Sequence, residues 1–289
     1  MNTTDTTDTT AGTGPASQAP SPRYLAAAQE AGLLHRLHGH PFVAGEQHDP
    51  QLDERELLVE FCADEILSDA PRLEEALAVA GLSETGPGVV TVRAPAHIRL
   101  DGPWQRHLTY LRYSGRPPQD GQAASPLTVR PADPGTDTAD LIRWLAQALA
   151  NGNAEQGVAT GPGAGETFAR EVVDAPDRFS YVACREGRPV GHATLLCAAD
   201  DPVTGRDHVE LVDVLVEEPQ GPRSEAAHAL TAAAMAHAHR AGLPLIGHVV
   251  HPAPHVAAGH GDRIVASLVA RGWAVDHVFW RRSHDKGGA

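Results

Sequence analysis

The order of strand-like and helix-like segments between residues 126 and 285 constrains the fold more than any other feature of this chain. A short strand at 127–130 precedes two helical segments, 138–150 and 166–173, with a Gly-rich loop between them. The later segments follow as strands 179–185, 189–198 and 208–216, helix 224–241, strand 243–251, helix 261–271 and strand 273–282. A hairpin meander combined with strand–helix–strand crossovers predicts an α/β fold, a mixed sheet with helices on its faces.

Composition divides the 289-residue chain into four parts. Residues 1–22 are a low-complexity Thr/Asp/Gly/Pro/Ala segment, which predicts a disordered tail. A Pro- and Gly-rich stretch at 116–125 is the best linker. It separates an accessory domain at 23–115 from a larger domain at 126–285. Within the accessory domain we expect helices at 23–37 and 53–80, a break at 39–50 between them, and strands at 89–93 and 106–113.

Charge and cysteine content exclude several classes of protein. There are 23 basic and 37 acidic residues, a net charge of −14, which argues against a nucleic-acid partner and suits a cationic one. No apolar run is long enough for a membrane helix, and no secretory signal pattern is visible. Three widely spaced cysteines do not form a disulfide framework or a structural zinc site. We therefore expect a cytoplasmic protein.

Three segments carry a resemblance to a known family. They are the hairpin Tyr181–Ala193 with its Glu-Gly-Arg turn, the strand Val209–Val216 with the helix that follows, and the run Leu268-Val-Ala-Arg-Gly-Trp273. Together they resemble the acyl-CoA N-acyltransferases of the GNAT superfamily, over a little over half of the chain. The resemblance implies a GNAT-like domain that uses acetyl-CoA or another acyl-CoA as cosubstrate. It implies direct transfer of the acyl group to a small amine, cationic or amino-acid-like, with an acidic general base.

The resemblance places the CoA-binding loop between the strand and the Ala-rich helix. The loop residues are Leu215, Val216, Gln220, Gly221, Arg223, Ser224, Glu225, Ala226 and Ala227. An N–H of Leu215 or Val216 would hold the thioester oxygen, and the helix N-terminus would bind the diphosphate. The family's glycines are reduced to Gly221, and Pro222 removes a donor. Arg223 could contact a phosphate directly, whereas Glu225 would oppose it.

Glu210 is the first candidate for the general base and Asp213 the second, because both lie on the strand before this loop. Strand alternation puts them on opposite faces unless a bulge intervenes. His251, near His248, is a candidate proton carrier. The family's acid Tyr is absent, since Leu268 falls near its place; Tyr181 or a His could serve instead.

The histidine spacing also suggests zinc, but it does not make a metal site. His248, His251 and His255 are three and four residues apart. Pro252 and Pro254 interrupt regular structure there, so no shared face presents the three rings. We therefore expect no metal.

Several alternatives stay open. The accessory domain is either a truncated copy of the acyltransferase domain or an unrelated extension, and in both cases it would wall the acceptor cleft or extend the sheet. The whole chain could be a non-catalytic binding or assembly protein that has kept the fold and lost CoA. An aminoacyl-tRNA donor is disfavoured by the acidic charge. The expected partners are a small-molecule amine and a second copy of the chain in a homodimer. We expect neither a nucleic acid nor a membrane as a partner.

Overall fold

The computed structural model describes residues 18–49, 54–82, 87–117, 126–157, 159–161, 163–252, 254–257 and 259–283. The strands are β1 (Leu34–Leu37), β2 (His40–Asp49), β3 (Glu54–Cys62), β4 (Val89–Pro95), β5 (Gln105–Tyr113), β6 (Leu127–Pro131), β7 (Arg178–Arg185), β8 (Arg188–Asp200), β9 (Asp207–Val216), β10 (Leu245–Val250) and β11 (Ala274–Ser283). The helices are α1 (Pro22–Glu30), α2 (Asp64–Leu67), α3 (Ala70–Val79), α4 (Thr138–Glu155), α5 (Ala164–Asp174), α6 (Gln220–Ala241), α7 (Pro254–Ala257) and α8 (His260–Val269). The predicted element order of the second half is confirmed, with the single turn α7 added.

All of these strands belong to one mixed sheet, as predicted for an α/β fold. Its order is β1-β2-β3-β4-β11-β5-β10-β9-β8-β7-β6. Two neighbouring pairs are parallel, β3 with β4 and β9 with β10, and the other pairs are antiparallel. Helices lie on both faces of the sheet.

The two halves of the chain exchange a strand at the centre of the sheet. β5 precedes the predicted linker, yet it lies between β10 and β11 of the second half. Conversely, β11 lies between β4 and β5 of the first half. The sheet is therefore continuous across the linker at 116–125, of which residues 118–125 lie outside the described residues.

A local two-fold symmetry relates the halves. Thr109 of β5 pairs with Val278 of β11. A two-fold axis through this pair exchanges the flanking pairs Leu108–Phe279 and Tyr110–His277. Each half also has a parallel pair whose first strand carries a bulge. The pairing of strands on the two sides of β5 and β11 is therefore alike.

The helices divide between the faces of the sheet. α2 and α3 pack on β3 and β4, and α6 packs on β7 to β10. Because Thr109 and Val278 are direct partners, the cores beneath α3 and α6 lie on the same face. α4 and α5 cover the other face at the β7–β9 end.

Three predictions for the first half were wrong. The segment predicted as helix 53–80 begins with a strand, because β3 lies between two other strands and buries Leu57 and Val59 against α2 and α3. The helix predicted at 23–37 ends at Glu30, and Gly32 follows with a φ of 72°. In place of the break predicted at 39–50, strand β2 forms a hairpin with β1. The turn between them is at His38 and Gly39, which both have positive φ.

The predicted tail lies mostly outside the described residues, which begin at residue 18. Within the described ranges, no helix combines the length and the apolar character that crossing a membrane requires.

Candidate active site

The parallel strands β9 and β10 separate partway along their length. They pair only at Val209–Leu245, Glu210–Ile246 and Leu211–Gly247. β9 continues to Val216 beyond the last of these pairs. The side of β9 that faces β10 therefore has backbone groups without a strand partner there, which opens a cleft in the sheet. α6 connects the two strands, in the strand–loop–helix order that the sequence predicts.

A β-bulge lies where the strands separate. Thr194 of β8 pairs with Asp213, and Leu195 pairs with Leu211, so Val212 has no partner on β8. An extra residue of this kind bends its strand and changes the direction of the next side chains. The bulge therefore accounts for the loss of pairing between β9 and β10.

The bulge places Glu210 and Asp213 on the same face of the sheet. Val209 and Leu211 pack into the core under α6, so Glu210 points to the other face. Asp213 also lies on that other face, because it contacts His192, which stacks on Trp144 of α4. Simple alternation would have put the two carboxylates on opposite faces.

His248 of β10 lies across the cleft from these two carboxylates. Loss of hydration among the surrounding protein atoms lowers the pKa of His248, and the charges of Glu210 and Asp213 partly offset this effect. Its side chain is nevertheless open to solvent through the cleft. At neutral pH the ring is uncharged and can accept a proton.

A buried polar chain holds Asp213. His192 is fully buried, and its Nε2 lies 3.3 Å from Asp213 Oδ2. Its Nδ1 shares a hydrogen bond with Thr194 Oγ1 at 2.9 Å, and Thr194 in turn bonds Ser180 at 2.9 Å. Trp144 stacks on the His192 ring at 5.5 Å between centroids. The hydrogen bond to Thr194 and the stacking on Trp144 fix the orientation of the His192 ring beside the carboxylate.

His251 is not part of this group. It lies just after β10 on the face covered by α8, where its Nε2 is 2.8 Å from Thr109 Oγ1. Thr109 pairs with Val249, whose side chain packs in the core under α6. The opposite side of the sheet holds Glu210, so His251 cannot serve that carboxylate as a proton carrier. His248 is the histidine at the cleft. The side chain of His255 lies outside the described residues.

The N-terminus of α6 differs from the prediction. The helix begins at Gln220 rather than Ser224, and Arg223 N–H closes its first turn onto Pro219 O at 2.9 Å. In the described part of the chain, the N–H groups of Gln220 and Gly221 have no protein acceptor. Pro222 has no N–H to add. Two backbone donors thus remain for an anionic ligand.

The other predicted loop residues have mixed surroundings. Ser224 Oγ donates to Gln220 O at 3.2 Å, and Ala226 is buried in the core under α6. Leu215 packs against the cluster around Trp144. Val216 and Ala227 pack with the α6 core. These side chains shape the helix–sheet contact, so any contribution of Ala226 or Val216 to a ligand would come through the backbone.

Ion pairs surround this helix N-terminus. Arg185 donates to Glu218 at 2.7 Å and to Glu225 at 2.8 Å. Arg143 pairs with Glu217. Arg223 Nε donates to Glu218 O at 3.1 Å, which holds its guanidinium at the helix start. Three glutamates balance three arginines, so a diphosphate would find two N–H donors and Arg223 but little net positive charge.

A cavity of about 220 Å³ lies near the cleft, on the face of the sheet that carries Glu210. Both halves of the chain line it. The first half contributes Glu60, Arg93, Tyr110 and Arg112, and the second contributes Ala199, Asp200, Asp201, Pro202, Arg206, His208, Glu210, Ile246, Asp276, His277 and Phe279. The first half thus lines this cavity and also extends the sheet, the two roles that the sequence left as alternatives.

Tyr110 is a member of this site that sequence reasoning missed. Its ring stacks on His277 at 4.4 Å between centroids and lies 5.5 Å from His248. Burial, followed by the charge of Glu210, raises the pKa of Tyr110 to about 12. The signal was present, because alternation in β5 places Leu108, Tyr110 and Arg112 on one face. What the sequence could not show is that β5 crosses into the other half.

The ionic side chains at the cavity wall form a network of ion pairs. Ligand atoms of Asp201, Asp276 and His277 lie within 4.8 Å of one another, a spacing that could suit a metal ion. Arg93 holds Asp201 through both carboxylate oxygens, and Asp276 lies 3.4 Å from Arg112 and 3.5 Å from Arg206. These guanidinium groups already neutralise the carboxylates and would repel a cation.

No protein-family model matches the chain, and no curated protein matches it. Solved structures similar to it include a GCN5-related N-acetyltransferase from Sphaerobacter thermophilus, with 13% identity over 84% of this chain and 76% of that one, at a TM-score of 0.46. A tandem GNAT protein from the clavulanic acid biosynthesis pathway has 11% identity over 96% of this chain and 91% of that one, at a TM-score of 0.44. A ribosomal-protein-alanine N-acetyltransferase from Brucella melitensis biovar Abortus 2308 has 17% identity over 49% of this chain and 90% of that one, at a TM-score of 0.33. Similarity at this level does not transfer a substrate or a reaction, which must be inferred from the geometry of the site.

Proposed function

We propose that this chain is an acyl-CoA-dependent N-acyltransferase that uses acetyl-CoA and acts on a small amine. The observation that carries the proposal is the bulge at Val212. It opens the cleft between β9 and β10 and turns two carboxylates, Glu210 and Asp213, toward the same face as His248.

Residues of the cleft and of α6 fit the cosubstrate in part. The unpaired edge of β9 beyond Leu211 offers backbone donors and acceptors to an extended amide-containing arm. The free N–H groups of Gln220 and Gly221, with Arg223, suit the diphosphate. When bound, acetyl-CoA would supply the activated acyl group.

The protein's own groups would move the protons. An acceptor ammonium must lose a proton before its nitrogen can attack, and Glu210, which lines the cavity, would receive that proton. Neutral His248 is a second acceptor at the cleft. Asp213, which contacts His192, favours a positive charge on the imidazole of His248. Tyr110 keeps its proton at neutral pH and can donate a hydrogen bond.

The test is release of CoA thiol from acetyl-CoA in the presence of a panel of amines. We expect Glu210→Gln to lower kcat by on the order of a hundredfold at neutral pH, the usual contribution of a general base, while the Kd for acetyl-CoA changes little. Glu46→Gln, on β2 in the first half, is the matched control and should match the wild type. Equal rates in the wild type and Glu210→Gln would contradict the assignment of the base.

A non-catalytic binding or assembly protein is the second candidate. Pro222 and the glutamates around the start of α6 favour it, because they weaken an anion site. This candidate expects no binding of acetyl-CoA and no transfer to any amine.

A further inference from the structure

One row of side chains crosses the floor of the cavity with opposite charges at its ends. Ile246 of β10 pairs with Glu210 on one side and with Arg112 on the other. Neighbouring strands are about 4.8 Å apart, so the backbones of Glu210 and Arg112 are separated by roughly 10 Å, with an apolar side chain between them. A carboxylate and a guanidinium therefore flank an apolar floor.

At the guanidinium end, three arginines, Arg93, Arg112 and Arg206, form ion pairs with two carboxylates, Asp201 and Asp276. Arg112 and Arg206 share one carboxylate, Asp276, which also contacts His277 Nδ1 at 2.9 Å. Burial, followed by the nearby charge of Arg206, lowers the pKa of Arg112. Arg112 Nε lies 3.4 Å from Asp276 Oδ1 without forming a hydrogen bond, and among the described residues Arg206 Nη1 is buried without an acceptor. An anionic group on a ligand would relieve this repulsion.

The carboxylate end has the opposite imbalance. Within the described part of the chain, neither Glu210 nor Glu60 forms an ion pair with a basic side chain. Glu60 accepts a hydrogen bond from the neutral hydroxyl of Tyr24, at 2.8 Å. Carboxylates in a partly desolvated cavity favour a cationic ligand group.

We infer that this cavity binds the acceptor as a zwitterion, a small α-amino acid or a close analogue, whose carboxylate faces Arg112 and Arg206 and whose amine faces Glu210. The inference rests on the proposed function for the role of the amine, and it names the substrate class. A volume of about 220 Å³ equals the liquid share of about seven water molecules, which suits a molecule of that size.

The first experiment compares ligands on the unaltered protein. Binding of the common L-amino acids is measured by isothermal titration without any CoA compound. The tightest binder is then compared with its primary amide, which lacks the carboxylate, and with its deaminated acid, which lacks the amine. We expect the amino acid to bind at least tenfold more tightly than either analogue. An amide or a plain alkylamine that binds as well as the amino acid overturns the inference, as does the absence of binding by every amino acid.

The second experiment removes the cation. Arg112→Met should weaken binding of the amino acid roughly ten- to hundredfold, the range for a lost charge-assisted hydrogen bond, and should leave binding of the amide unchanged. Arg36→Met, at an exposed position on β1, is the control. An equal loss for the amino acid and the amide would mean that Arg112→Met has damaged the cavity. In that case Arg206→Lys, which keeps the positive charge, must still bind the amino acid more tightly than the amide, and a loss of this preference overturns the inference.

These outcomes separate the inference from the proposed function. A protein that binds amino acids but not acetyl-CoA contradicts the transferase and keeps the zwitterion site. A protein that acetylates plain amines as fast as amino acids keeps the transferase and overturns the zwitterion site.

Discussion

At the scale of single residues, the site depends on which side chains one extra residue in β9 brings together. Glu210, Asp213 and His248 converge only because Val212 interrupts the pairing with β8. The resemblance to the GNAT superfamily, which implies an acidic base on the strand before the CoA loop, identified the two carboxylates as candidates. The bulge, which decides whether they share a face, is a property of strand pairing that leaves no local mark in the sequence.

The pH dependence of the rate is a prediction at this scale. Desolvation lowers the pKa of His248 below its usual 6.5, while Asp213 and Glu210 raise it. Protonation prevents the ring from accepting a proton, so kcat/KM should fall as pH drops through this lowered pKa. We expect an acidic limb below pH 6.5, and in Asp213→Asn the limb should move to still lower pH.

Pre-steady-state and steady-state rates between pH 4.5 and 8 would check this, as far as the protein stays folded by circular dichroism. A limb above pH 7, or one that moves upward in Asp213→Asn, would show that His248 is not the titrating group. Glu46→Gln provides the unshifted reference.

At the scale of secondary-structure elements, the start of α6 determines how well an anion binds. The helix begins four residues earlier than the sequence indicates, because Gln220 to Arg223 form a helical turn. They do so although most of the glycines that the resemblance implies for this loop are absent. As a result, Gly221 and Pro222 lie within the first turn. Pro222 has no N–H, so the helix N-terminus has one donor fewer for an anion.

Pro222→Ala should therefore bind acetyl-CoA more tightly than the wild type. The change adds one N–H to the helix N-terminus, and a hydrogen bond to a charged group contributes about 1.5–3 kcal/mol, or roughly tenfold or more in Kd. The same substitution at Pro71, in the first turn of α3, is the control and should have no effect on this Kd. Unchanged affinity in Pro222→Ala would show that the diphosphate is not bound at this helix.

The elements of the second half were more predictable than those of the first. In the second half, most strands and helices are separated by clear turns such as Glu186-Gly187, and their periodicity is distinct. In the first half, Leu57, Leu58 and Phe61 fit both helical spacing and a strand buried on two faces. The strand forms rather than the helix because this segment pairs with β2 on one side and β4 on the other, and these two strands are distant in sequence from one another.

At the scale of the whole molecule, the exchange of β5 and β11 joins the halves into one cooperative unit. Each half contributes a central strand to the other, so neither can complete its part of the sheet alone. No linker composition could indicate this, because it is a matter of long-range pairing. The cavity shares the same origin, since β5 brings Tyr110 and Arg112 to it.

Residues 126–289 expressed alone should accordingly fail to fold cooperatively. Without β5, the facing edges of β10 and β11 lose their common partner and expose unpaired backbone groups. We expect aggregation in size-exclusion chromatography and a broad thermal transition, and rescue when residues 1–117 are co-expressed. A monomeric second half with a sharp transition would contradict this account of the fold.

The most direct measurement of the central claim is the titration of the full chain with acetyl-CoA by calorimetry. If the cleft beyond Leu211 and Gly247 admits the thioester arm while Gln220 and Gly221 bind the diphosphate, the protein shows saturable one-to-one binding that Pro222→Ala strengthens. An absence of both heat and thermal stabilisation at millimolar acetyl-CoA would contradict the transferase.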